Sequence, residues 1–190
     1  MWYHMGETAP KNSRRGSENM TSEPTTENSA PVREVWVAQA LIKACTPGKA
    51  EPLYLVQRDE DLVDEYRLMG GRFEPRDGDL LETMKREMLE ELGLEYGRDY
   101  VLEELIHELM IPTRLSPTYG VLSCYHYRLY RVKMARKVQL KVGDNRWVSK
   151  RELLAGQMDS GEEIAAWHAR IIDKQLPGGL DRVPLSFSIE

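Results

Sequence analysis

Residues 70–94 read GGRFEPRDGDLLETMKREMLEELGL, with Arg86, Glu87, Glu90 and Glu91 gathered just before Gly93. From Asp79 onward Leu81, Met84, Met88 and Leu92 recur at three to four residue spacing, which predicts a helix with Gly93 as a left-handed C-cap. On that helix Glu87, Glu90 and Glu91 share the face opposite the apolar stripe, with Cβ atoms about 5–6 Å apart. Three neighbouring anions repel and raise one another's pKa unless a cation sits among them. A divalent ion such as magnesium supplies that charge, since it takes oxygen ligands and is typically shared between protein carboxylates and substrate phosphates. The apolar stripe would fix the helix on a sheet and aim the carboxylates outward. The carbonyl of Gly70 or Gly71 is a candidate backbone ligand, because glycine lets the main chain approach an ion closely. Arg86 adjoins Glu87 and would orient it, making Glu87 a candidate general base. The plainer account is a solvated helix face with an Arg86–Glu90 i,i+4 pair. Against it, the joint pattern Arg-Glu-apolar-x-Glu-Glu-x-Gly-apolar has a chance on the order of 10⁻⁷ per window at average residue usage, and about a hundredfold higher in a Glu-rich helix.

Upstream, REVWVAQALIKAC (33–45) alternates as a strand, TPGKAE turns the chain, and PLYLVQR forms a second short strand. YRLMGGRFE reads as a strand broken by a close backbone approach at Gly70 and Gly71. Downstream, DYVLEELIHELM and YGVLSCYHYRLYRV predict two strands joined by the loop IPTRLSPT. VQLKV and NRWVS add strand candidates, and KRELLAG a short helical turn. SGEEIAAWHARIIDKQLPGG predicts a terminal helix capped by Ser160, with a stripe through Ile164, Trp167, Ile171 and Ile172. Strands on both sides of one central helix, with a second helix at the end, predict an α/β domain: a mixed β-sheet covered by helices on two faces.

The 190 residues suit one domain with an appendage. Residues 1–31 are rich in Ser, Thr, Glu, Asn and Pro and read as a disordered arm, residues 32–176 as the domain, and residues 177–190 as a C-terminal tail. A net charge of −5 argues against long nucleic acid as a partner, while leaving phosphates accessible to a metal or to local cations. Cys45 and Cys124 lack CxxC or Cys/His spacing, which suggests neither a zinc site nor a disulfide and fits a reducing cytoplasm. No apolar run approaches a membrane span, and the polar N-terminus lacks the apolar core of a signal peptide.

The stretch from Gly71 to Leu94 resembles the Nudix box: a Gly, five residues, a Glu, seven residues, then Arg-Glu-apolar-x-Glu-Glu-x-Gly-apolar. Its second half matches fully. In the first half the acidic position counted from Gly71 falls on Asp77, whereas seven intervening residues before Arg86 lead back to Gly78, so the box is one residue longer. Asp77 and Asp79 are both candidates for the missing Glu. PLYLVQR looks like the strand before the box, and NRWVSKRELL like the Trp-containing strand and turn near the end of such domains, so the resemblance spans residues 33 to about 175. It implies a Nudix-type α/β/α sandwich that hydrolyses a nucleoside diphosphate linked to another moiety, with Mg2+ or Mn2+ on the box helix. It further implies Glu90 and Glu91 as a metal-binding pair, Glu87 as ligand or base, Gly71 as a backbone ligand and Arg86 as the orienting residue. Dimerisation is common among such proteins, so a homodimer is among the implied assemblies.

For the substrate, Arg58 and Arg114 are candidates to hold a terminal phosphate, with surface solvation as the competing account. Tyr119, Tyr125, Tyr127 and Trp147 are candidates to stack a base, with core packing as the alternative. Glu103, Glu104 and Glu108 are weaker candidates for the base, and His107, His126 and His168 read as structural. Two other readings stand beside hydrolysis: a Nudix-like module that senses a nucleotide without cleaving it, and a partner-binding domain tethered by the arm.

Overall fold

The computed structural model describes residues 31–46, 48, 51–58, 65–116, 118–135, 145–165 and 167–188. The arm expected at 1–31 lies, but for Pro31, outside them, as does the strand expected at VQLKV. In chain order the strands are β1 (Arg33–Leu41), β2 (Lys43–Cys45), β3 (Leu53–Arg58), β4 (Glu65–Arg72), β5 (Tyr100–Leu115), β6 (Leu122–Met134), β7 (Asn145–Ser149), β8 (Glu163–Ile164) and β9 (Phe187–Ser188). The α-helices are α1 (Leu80–Leu92), α2 (Lys150–Ala155) and α3 (Trp167–Gln175).

The sheet runs β5-β6-β1-β4-β3-β2-β9, with β7 on β3 and β8 on β4. It is mixed: β1 is parallel to β6 and antiparallel to β4. β4 pairs β3 around Leu68 and then β1 from Met69 to Arg72, so the sheet forks at the paired glycines. On one face Met84, Met88 and Leu92 of α1 pack with Ala38, Ala40, Met69 and Val132. On the other, Leu153 of α2 and Ala169 and Ile172 of α3 pack with Leu41, Tyr54, Leu68 and Leu129. The result is an α/β/α layering, a mixed sheet with helices on both faces as the sequence predicts.

Gly70 explains the fork. Its φ of 123° is a conformation that L side chains rarely adopt, and a Cβ there would overlap the Ala38 carbonyl of β1. The close approach expected at Gly70 and Gly71 is therefore present, but β4 runs through it unbroken. The terminal helix expected from Ser160 begins later, at Trp167. Ile164 instead pairs as a strand with Tyr66 of β4, and Ser160 donates to Glu162 rather than capping a helix. The loop expected over IPTRLSPT begins later too, because β5 continues to Leu115 along β6.

Residues 177–188 are not a loose tail. Buried Lys43 donates from Nζ to the carbonyls of Leu180, Asp181 and Val183 at 2.9, 2.8 and 2.9 Å, and β9 pairs in parallel with β2. The compact unit that starts at Pro31 includes this segment.

Candidate active site on the α1 carboxylate ridge

Helix α1 starts and stops where its sequence dictates. The Asp79 side chain accepts from Glu82 N at 2.8 Å as N-cap, and Gly93 takes the left-handed C-cap at φ 69°. Leu80, Met84, Met88 and Leu92 are buried, which turns Arg86, Glu87, Glu90 and Glu91 toward the edge of β4.

Arg86 organises this edge. Its Nε and Nη2 grip Asp77 at 2.9 and 3.1 Å, and its Nη1 donates to Glu87 Oε1 at 2.7 Å and Glu90 Oε2 at 3.0 Å. Nη2 also donates to the Arg72 carbonyl at 3.0 Å, tying the helix to β4. Glu91 turns the other way, where its Oε2 accepts from Gly70 N at 3.0 Å and its Oε1 lies 3.7 Å from Arg67. The Gln57 amide, oriented with its nitrogen toward Glu91, donates to the same carboxylate at 3.0 and 3.3 Å. Glu87 and Glu91 side chains are 12% and 8% exposed and Glu90 is 53% exposed, so two carboxylates line the fork and the third faces solvent.

The three carboxylates do not bring one oxygen each within 4.8 Å of one another. Arg86, Arg67 and the Gly70 amide supply the positive partners that the repulsion argument requires. Burial pushes the Glu87 carboxyl up, and the Arg86 charge opposes that rise. Gly71 leaves the space beside Glu87 clear, since a Cβ there would overlap the Glu87 carboxylate. Hard oxygen donors, two of them sheltered, beside a backbone without a side chain suit a divalent cation of the magnesium class.

The inserted residue in the box is accommodated by dividing the work of the missing Glu's two candidates. Asp79 caps α1, while Asp77, 3% exposed, accepts from Arg86, from Glu74 N at 2.9 Å and from Thr83 Oγ1 at 2.9 Å. Hydrogen bonds from Arg86 hold the Asp77 carboxyl well below the usual carboxylate range.

Among the substrate candidates, Tyr119 and Arg114 lie on one cationic, aromatic patch. Arg33 stacks over the Tyr119 ring at 3.6 Å, Arg72 Nη1 donates to Tyr119 Oη at 2.7 Å, and Arg114 lies 5.5 Å from the Tyr125 ring, which stacks on Tyr127. Sequence reasoning missed Arg33 and Arg72, although Arg72 directly follows the glycine pair and stands opposite Val37 of β1. Because successive side chains of a strand alternate in direction, Gln57 rather than its neighbour Arg58 meets Glu91. Trp147 packs edge-on against Phe187. Glu103 and Glu108 are engaged in cross-strand ion pairs with Arg131 and Arg128 at 2.6 Å each, and His107 Nε2 meets the side-chain Oε1 of Gln175.

No protein-family model and no curated protein match the chain. Solved structures to which it is similar include the E. coli ORF135 protein, at 22% identity over 70% of this chain and 82% of that one, with a TM-score of 0.47. They also include the C. elegans Ap4A hydrolase, at 16% identity over 64% and 84% with a TM-score of 0.46. The NUDIX domain of Shewanella oneidensis NrtR complexed with ADP ribose is similar at 15% identity over 79% and 91%, with a TM-score of 0.48. At such identities and scores, the functional reading rests on the residues of the ridge. None of the described helices is long and apolar enough to cross a membrane.

Proposed function

We propose that the protein is a Nudix-type pyrophosphohydrolase that cleaves a nucleoside diphosphate linked to another moiety, with Mg2+ or Mn2+ held at the α1 ridge. The observation that supports this best is Arg86 bridging Asp77, Glu87 and Glu90 beside the Gly70–Gly71 fork. Glu87, Glu90 and Glu91 would hold the ion, with the Gly71 carbonyl as the backbone donor. When bound, such a cation polarises phosphoryl oxygens and lowers the pKa of a water. The chain's own residues do the rest. Arg86 orients Glu87, whose proton affinity is raised by burial, and Glu87 takes the proton of the attacking water. Arg114, Tyr119 and the neighbouring Arg33 and Arg72 would receive the phosphate and base of the substrate, and Arg58 remains a candidate for a terminal phosphate. The expected partner is a small nucleotide-like molecule, in a cytoplasmic setting, with a homodimer among the assemblies open to it.

The engagement of Glu91 by Gly70 N, Arg67 and Gln57 favours one other reading, a nucleotide-sensing module without turnover. A screen of nucleoside triphosphates, nucleotide sugars, ADP-ribose, dinucleoside polyphosphates and capped RNA ends, with Mg2+ or Mn2+ and a Glu90→Gln control, separates the two. Metal-dependent product lost in the control supports hydrolysis. Thermal stabilisation by a ligand without any product supports the sensor.

A further inference from the structure

A second group of metal-ligating side chains, none of them from the α1 ridge, lies on the neighbouring strands β1 and β6. The parallel register of β1 and β6 sets Glu34 opposite Cys124 and Trp36 opposite His126, and side chains two apart on a strand share a face. Glu34, Cys124 and His126 each offer a ligand atom within 4.8 Å of the other two. His126 Nε2 is the hub, 2.5 Å from Glu34 Oε2 and 3.7 Å from Cys124 Sγ. Its ring is held flat against Trp36, with centroids 4.1 Å apart and planes 14° from parallel. That stack gives a 40% exposed tryptophan a reason to be there.

We propose that Glu34, Cys124 and His126 form a binding site for a borderline-soft divalent cation of the zinc class, stapling β1 to β6. The donor set is one imidazole, one thiolate and one carboxylate, which balances a double positive charge and leaves a fourth position for water. Zinc–ligand bonds of about 2.0–2.3 Å in a tetrahedron place S and N about 3.6 Å apart and N and O about 3.4 Å apart. The sulfur and nitrogen already stand at 3.7 Å. The oxygen must withdraw by roughly 1 Å, which the 55% exposed Glu34 side chain does by rotation about its own bonds. Cys124 is 8% exposed, so its sulfur is sheltered, and its thiol donates to the Ile111 carbonyl at 3.3 Å. Cation uptake displaces that thiol proton to solvent as the sulfur–metal bond forms. A hard cation such as Mg2+ gains little from a thiolate, so the site and the α1 ridge select different ions.

The test is titration of the metal-stripped full chain with Co2+, read by thiolate-to-cobalt charge-transfer absorption and the ligand-field bands of a tetrahedral ion. The expected result is a saturable signal in the wild type, in Glu90→Gln and in Cys45→Ser. The chain has only two cysteines, so retention in Cys45→Ser assigns the thiolate to Cys124 even if a Cys124 variant folds poorly. Cys124→Ser loses the charge-transfer band, and Glu34→Gln and His126→Gln each weaken binding at least about tenfold. Zn2+ raises the melting temperature of the wild type and leaves that of Cys124→Ser unchanged. Absence of a thiolate band in the wild type, or its loss in Cys45→Ser, overturns the proposal.

Discussion

Asp77 and Arg86, nine residues apart, are joined by two parallel bonds, Nε to Oδ1 at 2.9 Å and Nη2 to Oδ2 at 3.1 Å. This pair holds the lengthened loop against the helix that carries the carboxylates. Removing one partner of a sheltered ion pair strands the other charge. Asp77→Asn is expected to destabilise the fold by about 2–4 kcal/mol in chemical denaturation. Asp79→Asn is expected to stay within about 0.5 kcal/mol, because Asn caps a helix as well as Asp.

The same pair gives a pH dependence. Asp77's folded pKa is depressed, chiefly by hydrogen bonds from Arg86, so its contribution is fully present above the unfolded value of about 3.9. It is lost as pH falls through the depressed folded value. Denaturation curves of wild type and Asp77→Asn should therefore differ most near neutrality and converge in strong acid.

The paired glycines separate folding from function. At Gly70 an added methyl meets the Ala38 carbonyl and the left-handed φ of 123°, so Gly70→Ala is expected to cost several kcal/mol, about 3 or more, by chemical denaturation. At Gly71 the obstacle is the end of the Glu87 side chain, which can turn about its own bonds, rather than backbone. Gly71→Ala is expected to fold near normally yet lose about 100-fold in metal-dependent turnover, since Glu87 is displaced from its place.

Lys43 is the peg of the C-terminal segment. Lys43→Met leaves the carbonyls of Leu180, Asp181 and Val183 without their donor, an expected loss of about 3 kcal/mol or more. Limited proteolysis should cut the variant within residues 177–188, while the wild type resists there.

Much of the ridge was legible because a 3.6-residue period is a local property: Met84, Met88 and Leu92 defined the buried face, and the carboxylates followed by geometry. Gly93 and the short helix at KRELLAG were legible for the same reason, since caps and propensities act within a turn. The choice between Asp77 and Asp79 was not, because it depends on which way the inserted residue bends the loop. Ile164 sat on a helical stripe in sequence but pairs with Tyr66, a partner almost a hundred residues away. The role of Lys43 stayed hidden as well, because its three acceptors come from a stretch that looked like a tail. The Glu34, Cys124 and His126 group was not legible: Cys124 showed no metal-ligand spacing and His126 read as structural, because Glu34 joins them only through the β1–β6 register, which no local pattern encodes.

The most direct test of the central claim is calorimetric titration of Mg2+ into the full chain in the presence of a nucleoside diphosphate. The account predicts saturable uptake that Glu90→Gln weakens and Glu87→Gln abolishes, with Cys124→Ser unaffected. No uptake by the wild type, or equal uptake by all three variants, would contradict it.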